Sequence, residues 1–314
     1  MIRVDLVTGF LGSGKTTFIT DYATNLVNND EKVAIITNDY GAINVDRMIL
    51  ESNLSGKCHV EMVIGGDKDC SRRRLKTKLI ALAMDKYEHV IVEPSGVFDV
   101  NDFFDLIFDA PLDRWYEIGS VISIVEAGII KNKDCSYGEK YLTALQVSKA
   151  GKVVISKSDA DYKKNVTENN NKIIDILNEF LGEFACTRTI KDVLLWEKGE
   201  LSGKDTLLLE KAGYMSGEMI KLPVEEDSTF ESLFFFHPKV KVKDVKDNID
   251  RAFRDDNNGK IHRIKGYLKN AYDMWIEINA VRDNINLKPV ETGQELFIVI
   301  GESLNKENIS KYFN

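Results

Sequence analysis

Residues 2–17 read Ile-Arg-Val-Asp-Leu-Val-Thr-Gly-Phe-Leu-Gly-Ser-Gly-Lys-Thr-Thr. The first seven alternate and favour a strand. A glycine turn follows, and residues 15–28 carry helical spacing. The turn fits Gly-x-x-x-x-Gly-Lys-Thr, a pattern with four fixed positions. A chain of this length matches it by chance about once in a hundred cases. Gly9, Gly12 and Gly14 let the backbone, with Ser13, wrap close to an anion and point N–H groups inward. The helix behind adds its positive end. Lys15 is expected to reach the β- and γ-phosphates and Thr16 to offer its hydroxyl to Mg²⁺. Thr17 is either a further phosphate contact or simply the first helical turn. The stretch predicts a P-loop.

Outward from this loop, strands and helices alternate. Residues 32–37, 59–64, 89–93, 121–126 and 152–156 read as strands, and 71–86, 137–150 and 166–181 as helices. That order predicts an α/β fold, a mostly parallel sheet covered by helices on both faces. Val153-Val154-Ile155 is a continuous apolar run that suits a central strand. The P-loop domain is placed at 1–222 and a polar linker at 223–229. A smaller α+β domain is placed at 230–314: extended over 230–242, helical over 243–254, strands at 260–264, 274–279 and 296–300, and a closing helix at 305–313.

A P-loop needs an acid ending a neighbouring buried strand. His89-Val-Ile-Val-Glu93, with two strands between it and the P-loop strand, supplies Glu93 to hold a Mg²⁺-bound water. Gly96 is then placed to approach the γ-phosphate. Ser156-Lys-Ser-Asp159 follows the strand at 152–156, where many GTPases carry Asn-Lys-x-Asp. The Asp159 carboxylate accepts from both guanine N1–H and N2–H₂, a donor pair that adenine lacks. The Lys157 stem packs on the ring. Ser156 replaces the usual Asn. Guanine is therefore the expected base, and an ATP-dependent kinase is the poorer reading.

A net charge of −8 argues against a general nucleic-acid binder. No apolar run approaches the length of a membrane span, and residues 1–5 lack the layout of a secretion signal. The expectation is a cytoplasmic protein with no membrane or nucleic-acid partner. Cys58, Cys70, Cys135 and Cys186 form no CxxC pair. His59, His89, His237 and His262 show no helical pairing, and none is assigned as a ligand.

Together these residues resemble the CobW/HypB/UreG family of P-loop GTPases, most of all its CobW-like branch. The matching stretches are Gly9–Thr17, Asn38-Asp-Tyr-Gly41 with Asp46, Glu93-Pro-Ser-Gly96 and Ser156–Asp159. Gly259-Lys-Ile-His-Arg-Ile-Lys-Gly266 and Phe297-Ile-Val-Ile-Gly301 resemble the family's C-terminal domain. The resemblance implies binding of GTP or GDP with Mg²⁺ and slow hydrolysis. It also implies delivery or insertion of a metal, or of a metal-containing cofactor, into a client enzyme.

The sequence departs from the family at its cargo motif. CobW-like chains carry Gly-Cys-x-Cys-Cys; here the stretch is Gly66-Asp67-Lys68-Asp69-Cys70, with two thiolates replaced by carboxylates. In one reading Asp67, Asp69 and Cys70 still bind Zn²⁺ or Co²⁺, the two acids sharing a face of an extended loop. In the other they cap a helix starting near Ser71. Asp39 stands where the family has the first of two Glu residues, and Ala42 where it has the second. Asp39 is left to serve a Mg²⁺ water, the attacking water or a transferred metal. Arg73, within Arg72-Arg73-Arg74, aligns with a family arginine, against the plainer reading of a solvated basic face. Two functions follow: a GTPase that delivers metal, or a nucleotide-gated activator with little metal binding or turnover of its own.

Overall fold

The computed structural model describes residues 1–39, 50, 54, 57–64, 68–95, 98–131, 135–219, 231–282, 284–290, 293 and 295–313, with backbone alone at 38, 39, 64, 68–71, 231, 232 and 234. Asp46, Asp67, Gly96 and residues 223–229 lie outside the described residues, as do the side chains of Asp39, Asp69 and Cys70. Two compact units emerge, Met1–Lys221 and Leu222–Asn314.

The first unit is built on a sheet whose strands are β1 (Ile2–Gly9), β2 (Val33–Asp39), β3 (His59–Ile64), β4 (His89–Glu93), β5 (Tyr116–Glu126), β6 (Lys152–Ser156) and β7 (Leu194–Leu195). Their spatial order is β3-β2-β4-β1-β5-β6-β7, and the pairings are parallel. The chain steps to one side of β1 for β2 to β4, then to the other for β5 to β7. That reversal opens a crevice at the carboxyl end of β1, where open parallel sheets bind ligands. Every residue of β4 and of β6 is buried. Burial of successive residues, which point to opposite faces, requires both faces to be covered.

Helix α1 (Lys15–Asn28) covers one face: Phe18, Ile19, Tyr22, Ala23 and Leu26 are buried in one cluster with Val7, Ile35, Ile91, Ile124 and Val154. Helix α2 (Lys68–Met84) starts three residues earlier than the sequence reading placed it. Asp69 and Cys70 therefore have helical backbone, within α2 and not ahead of it, while Asp67, the other acid of the stretch, lies outside the described residues. Helix α3 (Val100–Ile107), passed over by the sequence reading, is capped by Asp99, whose side chain accepts from the Asn101 N–H. Helices α4 (Tyr137–Lys149), α5 (Ala160–Lys164), α6 (Val166–Glu183) and α7 (Gly203–Glu210) complete the unit. Among the described residues, no helix is long and apolar enough to cross a membrane.

The second unit holds β8 (Glu231–Phe236), α8 (Val242–Arg254), β9 (Lys260–Lys269), β10 (Trp275–Val281), β11 (Asn284–Val290), β12 (Leu296–Glu302) and α9 (Lys306–Phe313). The strands pair antiparallel in the order β11-β10-β9-β12-β8. Val245, Ile249 and Phe253 of α8 and Ile309 and Phe313 of α9 share a core with Ile264, Ile278 and Phe297 of the sheet. The extended stretch expected to run to Val242 ends instead at Phe236, and β9 runs five residues past its expected end.

At the amino end of the parallel sheet, Asp5 is fully buried. It accepts from the Tyr22 hydroxyl at 2.7 Å, the Ser120 N–H at 2.6 Å and His89 Nε2 at 2.8 Å. His89 Nδ1 lies 2.9 Å from Glu31 Oε2. Burial opposes charge on His89, but the hydrogen bonds to Asp5 and Glu31 outweigh it and push its pKa up to about 9. Because the folded value lies above the ordinary 6.5, this contribution to stability is complete below pH 6.5 and is lost as pH rises through 9. Thermal unfolding of metal-free protein will show a midpoint that falls across that window. His89→Gln will flatten the slope; an unchanged slope contradicts the pairing.

Candidate functional site

The glycine loop follows β1, with backbone that L side chains rarely adopt: φ is +148° at Gly9, +78° at Gly12 and +98° at Gly14. A Cβ on Gly9 would sit 2.4 Å from the Ile124 carbonyl oxygen, so no larger residue fits there. Gly14 is the N-cap of α1 with no side-chain cap, which leaves the helix's first N–H groups facing the loop. Lys15 is buried, and its ammonium donates to the carbonyls of Gly9 at 2.9 Å and Phe10 at 3.2 Å. The amine thus closes the loop on itself. Ser13 Oγ, Thr8 Oγ1 and Ser123 Oγ are buried hydroxyls with no hydrogen-bond partner among the described residues. Thr8 and Ser123 are register partners on β1 and β5, directly before the loop. Buried donors left unmade are costly and mark a place for a polar ligand.

Parallel pairing sets Leu6 of β1 beside Val92 of β4, and so carries Glu93 to the loop. Thr16 Oγ1 donates to Glu93 Oε1 at 2.8 Å, although the two residues are 77 positions apart. Glu93 is buried. Hard oxygen donors of this kind, a hydroxyl and a carboxylate at the mouth of an anion-binding loop, suit Mg²⁺ held partly through water. Thr37 of β2 pairs with Glu93, so Asp39 ends its strand two residues beyond the level of Glu93. Thr17 lies in the first turn of α1.

The base-site residues take up less expected positions. Ser156 Oγ donates to the Ser13 carbonyl at 2.6 Å. It fastens the glycine loop to the end of β6. Lys157 adopts φ +53°, and its ammonium lies 3.1 Å from Glu126 Oε2. Asp159 is the N-cap of α5: Oδ1 accepts from the Tyr162 N–H at 2.8 Å and Oδ2 pairs with Lys131 at 2.6 Å. The hydrogen bond from the Lys131 ammonium, then that from Tyr162 N–H, hold Asp159 below the usual carboxylate range. Arg72, Arg73 and Arg74 are exposed on α2.

One segment escaped the sequence reading. The chain after β7 brings Trp196 under the loop, edge-on to Phe18 with ring centroids 5.2 Å apart, and its indole N–H donates to Asp21 at 3.1 Å. Glu197 accepts from the Ser158 hydroxyl at 3.3 Å and from Lys163 at 2.6 Å. These residues wall the Ser156–Asp159 turn. The strand that delivers them, β7, has two residues, too few to show a period.

The family model for the CobW/HypB/UreG nucleotide-binding domain matches residues 3–181. A protein named zinc chaperone YeiR, from Escherichia coli, is 28% identical over 162 residues, 51% of this chain and 47% of that one. The Saccharomyces cerevisiae protein named zinc-regulated GTPase metalloprotein activator 1 is 23% identical over 365 aligned positions, covering 99% of this chain and 82% of that one. A zinc-bound crystal structure of the E. coli YjiA GTPase is 16% identical and covers 99% of this chain and 97% of that one, with a TM-score of 0.38. The match spans about half the length of YeiR. With its glycine loop, its Thr16–Glu93 contact and a family match over more than half its length, the chain belongs to the CobW/HypB/UreG family, in its CobW-like branch.

Proposed function

We propose that this protein is a Mg²⁺-dependent GTP-binding protein and GTPase of the cytoplasm, whose nucleotide state governs delivery of a metal or metal-containing cofactor to a client protein. The observation that carries the reading is the 2.8 Å contact of Thr16 with Glu93 at the mouth of the glycine loop. Thr16 and Glu93 would hold Mg²⁺ there, and the ion would supply charge neutralisation to the bound phosphates. The chain's own groups do the rest. N–H groups of Gly12 to Thr16 receive phosphate oxygens. Lys15 leaves the carbonyls of Gly9 and Phe10 and follows the negative charge. Gly96, beyond Glu93, approaches the γ-phosphate, and Asp39 orients a water. Asp159 keeps its cap on α5 through Oδ1 and turns Oδ2 from Lys131 to the guanine edge. Lys131 is 69% exposed, so solvent takes over its charge at little cost. Lys157 lies along the ring, and Ser156 keeps the loop in register with the base site.

The names of the relatives favour zinc as cargo. Asp67, Asp69 and Cys70 form the cargo site in this reading, with a harder donor set than three thiolates. The second reading, a nucleotide-gated activator, is favoured by the same replacement of two thiolates by carboxylates. Cys70→Ser separates them: loss of nucleotide-linked zinc affinity supports cargo binding, and unchanged affinity supports the activator.

Nucleotide choice tests the base site. Equilibrium binding and turnover with Mg²⁺ will favour GTP over ATP. Asp159→Ala will lower GTP affinity roughly 100-fold, the worth of two charge-assisted hydrogen bonds, and leave ATP binding as it was. Lys15→Ala will abolish measurable turnover. ATP bound as tightly as GTP, or an Asp159→Ala protein that binds GTP like wild type, contradicts the assignment.

A further inference from the structure

At the opposite end of β4 from Glu93, three side chains converge from distant parts of the chain. Glu31 comes from the turn between α1 and β2, His89 from the first position of β4, and Glu210 from the last residue of α7. One ligating atom from each lies within 4.8 Å of the other two. His89 is 1% exposed, and the Glu31 side chain 28%. Two carboxylates and an imidazole thus converge, with the histidine buried and the Glu31 side chain partly exposed.

The surroundings are those of a metal-binding histidine. His89 Nε2 is engaged by Asp5 at 2.8 Å, and Asp5 is itself fixed by the Tyr22 hydroxyl and the Ser120 N–H. A carboxylate holding one ring nitrogen sets the tautomer and turns the other nitrogen outward as a ligand. Here that other nitrogen, Nδ1, faces Glu31 at 2.9 Å. Glu210 completes the triangle, and no hydrogen bond to its carboxylate exists among the described residues. Its backbone is held, since its carbonyl accepts from the Ser120 hydroxyl at 3.1 Å. Asn25 further anchors α7 by donating to Leu201 O and Thr206 Oγ1, both at 2.8 Å.

Charge makes the case stronger. Asp5, Glu31 and Glu210 bring three negative charges together, and Arg3, 3.3 Å from Asp5, brings one positive. A divalent cation on neutral His89 brings the sum to zero. Without one, the protonated imidazole offsets part of that charge and one net negative charge remains. Tetrahedral ligation at bond lengths of about 2.0–2.1 Å sets ligand atoms roughly 3.3 Å apart. The observed spread of no more than 4.8 Å closes to that by rotation of the half-buried Glu210 side chain.

We propose that Glu31, His89 and Glu210 form a zinc-type divalent-cation site, with His89 Nδ1 and one oxygen from each glutamate as ligands and Asp5 as the group orienting the histidine. One imidazole and two carboxylates suit Zn²⁺ and Co²⁺, and three protein ligands leave a fourth position for water or exchange. The site lies roughly 13 Å along β4 from Glu93, four residue steps of about 3.3 Å. It is separate from Asp67–Cys70 and does not depend on the nucleotide reading.

The test is titration of metal-free full-length protein with zinc against a chromophoric chelator, at pH 7.5 and without nucleotide. Glu31→Gln and Glu210→Gln will each weaken one site at least tenfold, while Cys70→Ser will leave that site intact. Glu210→Gln removes a like-charge neighbour, so its unfolding midpoint without metal will match or exceed that of wild type; a weakened site then reflects a lost ligand and not a lost fold. In unmutated protein, nitrogen NMR will show zinc displacing the His89 Nδ1 resonance. Wild-type zinc affinity in both glutamine variants overturns the proposal, and so does a His89 resonance that zinc does not move.

Discussion

β1 and β4 lie side by side although β2 and β3 separate them in sequence, and both ends of that pairing carry chemistry. At the carboxyl end, adjacency places Glu93 against Thr16. At the amino end, it places His89 against Asp5. A shift of one residue in the register would turn each of these side chains to the wrong face, since strand side chains alternate. The register is fixed by burial: Val90, Ile91 and Val92 are enclosed on both faces, as are Val4, Leu6 and Val7. Hydrophobic burial of one short strand therefore positions polar groups that could not hold their places alone.

The same logic governs the loop. Ser156, at the end of β6, binds the Ser13 carbonyl, and Trp196 fills the space under Phe18. The phosphate loop is thus braced by two strands on the far side of β5. The Lys15 ammonium binds the loop's own carbonyls, those of Gly9 and Phe10. Glu126 and Lys131, flanking the Ser156–Asp159 turn, hold Lys157 and Asp159 in salt links. Exposed ion pairs of this sort are weak.

Much of this was legible in the sequence, and the boundary has physical causes. β4, β6 and α1 were read nearly to the residue because continuous burial and an amphipathic period leave plain marks. β11 was missed: Asn284-Ile-Asn-Leu-Lys-Pro-Val290 alternates weakly and contains Pro289, which fits only because the strand is an edge. The start of α2 was placed late because Lys68-Asp-Cys70 has no apolar face to announce a helix. The role of Ser156 was hidden because its partner is a backbone carbonyl, and any residue has one. The three groups at the amino end of β4 were illegible in principle. Positions 31, 89 and 210 share no spacing, and a histidine that opens a buried strand looks like any core histidine.

In the proposed function, Thr16 and Glu93 together hold the cation of a bound guanine nucleotide. Electron paramagnetic resonance with Mn²⁺ in place of Mg²⁺ addresses it directly. In the presence of GTP, wild-type protein will immobilise one equivalent of Mn²⁺ at the nucleotide. Thr16→Ala and Glu93→Gln will each weaken that binding at least tenfold while GTP itself remains bound. Equal Mn²⁺ affinity in all three proteins would contradict the assignment, because the 2.8 Å contact would then be a strut of the fold and not the seat of a metal.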